Sequence, residues 1–123
     1  MAKDNSAIAR AAYRAYVTKD RAAIEALIAH EFRFTSPLDN GLDRQSYFAI
    51  CWPNSANTEG FEMVHMIEHG DQVFVTYEGR SKKTRFRNTE ILTVQDGQIV
   101  EVEVYFGWNV PHEVPVGEHR DPK

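Results

Sequence analysis

Apolar residues recur at helical spacing in the first part of this chain and at strand spacing afterwards, and the change of period sets its architecture. Ile8, Ala9, Ala12, Tyr13, Tyr16 and Val17 form one stripe, which predicts a helix capped by Asp4, Asn5 or Ser6 and running to about Thr18. Asp20 caps a second, short helix with Ile24, Leu27 and Ile28 facing inward. Phe32 and Phe34 share one face of a brief strand that ends at Pro37. Asn40-Gly41 marks a turn, and Asp43 caps a third helix carrying Tyr47, Phe48, Cys51 and Trp52 on one side, stopped by Pro53.

After a loop from Asn54 to Gly60, the period becomes two. Phe61, Met63, His65 and Ile67 alternate on one side of a strand ending near His69, and Gly70-Asp71 turns into Val73–Tyr77. A long hairpin follows from Arg87 to Trp108, with Asp96-Gly97 supplying the positive φ angles of its tight turn. Its second arm places Val100, Val102, Val104 and Phe106 on one face, and Glu101, Glu103 and Tyr105 on the other. Three helices followed by an antiparallel meander predict an α+β domain over residues 1–110, with the sheet curled around the helices. Residues 111–123 hold three prolines, a glycine and many charges, which predicts an irregular tail.

Composition removes several function classes. A net charge of −4 without a basic block gives no electrostatic footprint for nucleic acid. The one basic stretch, Arg80 to Arg85 with Arg87 beyond it, reads as a charged hairpin tip. No apolar run is long enough to span a membrane, and no secretory leader is evident at the polar, alanine-rich start, so a cytoplasmic location is the default expectation. The single cysteine, Cys51, excludes an intrachain disulfide and reads as a buried structural thiol. His112, Glu113 and His119 lack a metal-ligand spacing, so no metal site is expected.

One carboxylate interrupts the hairpin's apolar pattern. Counting by twos, Asn88, Glu90, Leu92 and Val94 share the face assigned to the interior, where a carboxyl group is costly and its pKa is raised. A single bulge would invert that parity and leave Glu90 outside, paired with an arginine such as Arg87; both placements stay open. His65 is a second candidate, and a His65–Glu90 pair would make an acid/base couple, although a lone histidine on an apolar strand is more often a hydrogen-bonded core residue. Tyr13 and Tyr47 offer phenols that could orient a ligand oxygen. Phe34, Trp52, Met63, Val104, Phe106 and Trp108 are expected, with Tyr47 and Asn88, to line an aromatic-rich pocket.

The runs Phe86-Arg-Asn-Thr-Glu-Ile-Leu92, Asp96-Gly-Gln-Ile-Val100 and Val104-Tyr-Phe-Gly-Trp108, in this element order, resemble the NTF2-like superfamily and its bacterial SnoaL-like branch over about residues 5–109. The resemblance implies a cone in which helices and a strongly curved, mostly antiparallel sheet enclose an apolar pocket, with dimerisation through the sheet's outer face. It spans ketosteroid isomerases, polyketide cyclases, epoxide hydrolases, dehydratases and non-catalytic binding modules, so the fold alone does not select an activity. In the isomerases Tyr13 would correspond to the phenol that donates to the substrate oxygen, and Glu90 to a protonated acid; Ser36 stands where their general base would be. Gly107 stands at the cyclases' aspartate, and Val104 at the second carboxylate of the epoxide hydrolases, whose Arg-x-Asp pair is Asn88 and Glu90 here.

Two readings result. In the first, the chain is an enzyme that works without a cofactor, performing isomerisation, cyclisation, dehydration or hydrolysis on a small apolar or aromatic, oxygenated substrate, with Glu90 moving the proton and His65 or Tyr13 orienting the substrate. In the second it is a non-catalytic ligand-binding or dimeric interaction module. Neither involves nucleic acid or a membrane, and a homodimer is expected in both.

Overall fold

The structure is a computed structural model and describes residues 4–122. Helix α1 spans Asn5–Thr18, and the Asp4 side chain accepts from the Ala7 amide to satisfy one of the helix's orphan donors. Lys19 closes the helix in the left-handed conformation. Helices α2 (Arg21–Leu27) and α3 (Arg44–Ile50) are capped in the same way, by Asp20 and Asp43. A 3₁₀ turn over Trp52–Asn57 follows α3, begun by Pro53 where the missing N–H costs nothing.

Six strands form one sheet: β1 (Ile28–Ser36), β2 (Asp39–Leu42), β3 (Thr58–His69), β4 (Gln72–Ser81), β5 (Arg85–Gln95) and β6 (Gln98–Asn109). Their order is β2-β1-β6-β5-β4-β3, and every pair is antiparallel except β1 with β6. The α+β class and the helix-filled, curved sheet agree with the sequence reading. Helix α1 packs on β3 and β4, α2 on β1 and β6, and α3 on β1 and β2, so all three helices cover one face. Phe32, Ile24, Ile99, Val73 and Val75 are fully buried between them, each contributing about 1.5–3 kcal/mol by leaving water. From Val110 to Pro122 the chain forms neither helix nor strand. No described helix is long and apolar enough to cross a membrane.

The departures from simple alternation have one cause. Met63 pairs with Tyr77 and His65 with Thr76, which leaves Val64 as an extra residue, a β-bulge that reverses the facing of everything after it. Met66 therefore turns toward the core, while His65 and Ile67 are exposed, Ile67 by 64%. The expected shared face of Phe61, Met63, His65 and Ile67 is corrected accordingly. On β6, Val94 pairs with Ile99 and Thr93 with Glu101, so Val100 is extra, and Ile99 takes the buried place expected of Val100. Another irregularity falls at Gly107-Trp108, between the Asn88–Phe106 and Phe86–Asn109 pairs. Ile28 faces inward as expected but caps α2 in an extended conformation, its amide donating to the Ile24 carbonyl while the residue opens β1 opposite Ile99.

Candidate active site

Strand β5 pairs with β4 without a bulge from Arg85 to Thr93, so its alternation survives there intact. Glu90 stands between Val75 and Val104, both buried, and shares the interior face with Asn88 and Leu92. The alternative partner, Arg87, lies instead beside Glu78 at 3.8 Å.

Glu90 lines a cavity of about 260 Å³, room for about nine waters at liquid density. Its apolar end is made by Ile24, Ile28, Ile99 and Val102. Leu38, Asn54 and Phe106 line the cavity and are also exposed, Leu38 by 82%, so they mark its opening. Between these ends two polar clusters project inward.

The first cluster is centred on Glu90. Tyr13 Oη donates to Oε1 at 3.1 Å, and Tyr77 Oη donates to Oε2 at 2.6 Å. Asn88 Nδ2 lies 3.4 Å from the Tyr77 hydroxyl, while Asn88 Oδ1 accepts from the Gly107 amide at 3.2 Å, which fixes the orientation of the side-chain amide. Burial raises the Glu90 pKa, and the two phenol bonds only partly offset that effect. The same burial, reinforced by the carboxylate, pushes the Tyr13 and Tyr77 phenols up, so both keep their protons.

The second cluster joins the Tyr16 and Tyr47 hydroxyls, which hydrogen-bond to each other across the cavity wall. Two hydroxyls carry two hydrogens and only one lies between them, so one is left for a ligand acceptor. Near the opening, the Ser36 hydroxyl donates to Asp39 Oδ2 at 2.8 Å, and both residues line the cavity. Cys51 is half-buried there, and burial, then Asp39, pushes its thiol up to about 11, leaving it protonated at neutral pH.

The structure brings together Tyr13, Glu90, Asn88, Tyr47, Phe34, Val104 and Phe106 around this cavity. It does not bring four others there. His65 faces outward because of the Val64 bulge and cannot pair with Glu90. Trp52 is buried behind the wall, edge-on to Tyr16 at 4.9 Å between ring centroids. Met63 packs against the core without lining the cavity. Trp108, 53% exposed, is turned out by the irregularity at Gly107 and stacks near His112.

Sequence reasoning missed Tyr77, Tyr16 and Asp39 as site residues. Tyr77 was legible, since it continues the buried alternation of Val73 and Val75 and ends it with a hydroxyl. Asp39 was not, because only the Ser36–Asp39 pairing across the turn brings it to the cavity. Among the described residues, no cluster of three or more His, Cys, Asp or Glu side chains could hold a metal ion.

A family model described as the SnoaL-like domain matches residues 9–102. No curated protein matches the chain. Among solved structures, an NTF2-like protein from Cytophaga hutchinsonii is similar at 16% identity, with 87% of this chain and 93% of that one covered and a TM-score of 0.72. A protein from Kribbella flavida described as a candidate ketosteroid isomerase has 18% identity, coverage of 95% and 89%, and a TM-score of 0.71. An LEH-like epoxide hydrolase from M. tuberculosis has 18% identity, coverage of 82% and 80%, and a TM-score of 0.65. At these identities the likeness is one of fold.

Proposed function

The chain belongs to the SnoaL-like domain family, and from that membership and the carboxyl group inside its cavity we propose that it catalyses acid/base chemistry on a small hydrophobic, oxygenated substrate. The reaction class is isomerisation, cyclisation, dehydration or hydrolysis, with the chain's own side chains moving the proton. The observation that carries this reading is Glu90: a carboxyl group of raised pKa, lining an apolar cavity, with a phenol on each oxygen.

The phenols suit the acid form of the role. When Glu90 gives its proton to a substrate oxygen or carbon, the anion left behind is met at once by the Tyr13 and Tyr77 hydroxyls, already in place. Because those two protons face Glu90, Tyr13 is not the group that polarises the substrate. The spare hydrogen of the Tyr16–Tyr47 pair takes that part, and both hydroxyls line the same cavity.

The distant structural relatives include proteins whose names are those of an isomerase and an epoxide hydrolase, which supports the reaction class at that breadth. The test is to identify a co-purifying ligand by native mass spectrometry and follow its turnover. Glu90→Gln should abolish conversion while the circular dichroism spectrum is kept; conversion at the wild-type rate removes Glu90 from the mechanism. One observation favours a non-catalytic ligand-binding role instead: both Glu90 oxygens are already hydrogen-bonded within the protein. That reading predicts that the same ligand is released chemically unchanged.

A further inference from the structure

The charge of the cavity lining bears on which ligands can enter. Two carboxyl side chains line it, Glu90 on β5 and Asp39 on β2, and among the described residues no lysine, arginine or histidine does. An anionic ligand would be desolvated beside the Asp39 carboxylate with no cation in the lining to compensate, an arrangement that like charge makes unfavourable whichever form Glu90 takes. A cation meets the opposite situation. Asp39 is half-buried near the opening, its Oδ2 held by the Ser36 hydroxyl, and its Oδ1 accepts no hydrogen bond among the described residues. Ser36 is itself fixed, because its oxygen accepts from the Leu38 amide at 3.0 Å.

The walls complement a cation as well. Phe34, Tyr47, Phe61, Phe86 and Phe106 line the cavity, and the faces of such rings carry negative potential that attracts an ammonium group. An ammonium placed at Asp39 stays close to the exposed Leu38 and Asn54, where water still reaches it, so its desolvation is only partial. The hydrocarbon body then extends toward the apolar end at Ile24 and Ile99.

We propose that the cavity selects a small hydrophobic amine in its protonated form, with the ammonium group on Asp39 and the body among the aromatic rings. This rests on the reading of the cavity as the ligand site, and not on the role given there to Glu90.

Three probes of matched shape test it: cyclohexylmethylamine, cyclohexylmethanol and cyclohexanecarboxylate, titrated calorimetrically into the full chain near neutral pH. The amine should bind at least about tenfold more tightly than the alcohol, and the carboxylate should give no signal. Asp39→Asn keeps an oxygen for the Ser36 hydroxyl and so preserves the turn; it should bring the amine down to the alcohol's affinity and leave the alcohol unchanged. An alcohol that binds as well as the amine overturns the proposal. So does binding of the carboxylate, failure of the amine to bind at millimolar concentration, or an amine preference that survives in Asp39→Asn. Calorimetry reads binding without turnover, so an inactive Glu90 leaves these outcomes unmoved, and a failed amine preference leaves the proton-transfer reading standing.

Discussion

At Glu90 the physics of one side chain reaches the stability of the whole protein. Burial holds its folded pKa above the ordinary carboxyl value of 4.5, so across the interval between those values the folded chain keeps a proton that the unfolded chain has released. Stability therefore falls as pH rises through that interval; below it both states are protonated, and above it the loss is complete. Glu90→Gln removes the titration, so the variant should gain on the wild type as pH rises from about 4 toward 8, read from urea midpoints at each pH. Curves that stay parallel would show that Glu90 is not the group responsible. Glu90 and Asn88 take the inward one of the two placements the sequence left open, because no bulge interrupts the β4–β5 register. The Tyr16–Tyr47 bond was not legible in the sequence, since each tyrosine shows only its own apolar stripe and a partner 31 positions away is met only where the sheet brings α1 and α3 to one cavity.

Bulges decide which strands can be read by counting. Val64 and Val100 each insert one residue and exchange the two faces beyond it, which is why His65 leaves the interior and Ile99 enters it. A valine in a strand gives no local sign that it will be the unpaired one, so this part of the register could not be seen in advance. Gly107 is different, because its reason is steric. A Cβ there would stand 2.3 Å from the Arg87 carbonyl oxygen, and a backbone atom has little room to yield. Gly107→Ala should lower stability by about 2 kcal/mol or more, measured by denaturant unfolding. A change within a few tenths of a kcal/mol would mean that β5 and β6 separate there at no cost. The helix caps were the most legible feature of all: Asp4, Asp20 and Asp43 each bond the amide three residues on.

For the molecule as a whole, curvature divides the sheet into an inner face that holds the cavity and an outer face that meets solvent. Ile67, Phe74 and Ile91 stand in register across β3, β4 and β5 on that outer face, followed by Glu103 on β6. A second copy of the chain is expected to cover this row, giving a dimer at micromolar concentration by sedimentation velocity. Phe74→Glu should shift it to monomer, and a wild-type chain that is already monomeric contradicts the expectation. The two tryptophans differ in exposure, Trp108 being about half open to solvent and Trp52 sealed behind Tyr16, a residue of the cavity wall. Iodide in solution would quench the fluorescence of the first and leave the second. The light that remains comes from one ring's distance behind the cavity, so the protein's own emission can report whether anything has entered, without a label and before any substrate is known.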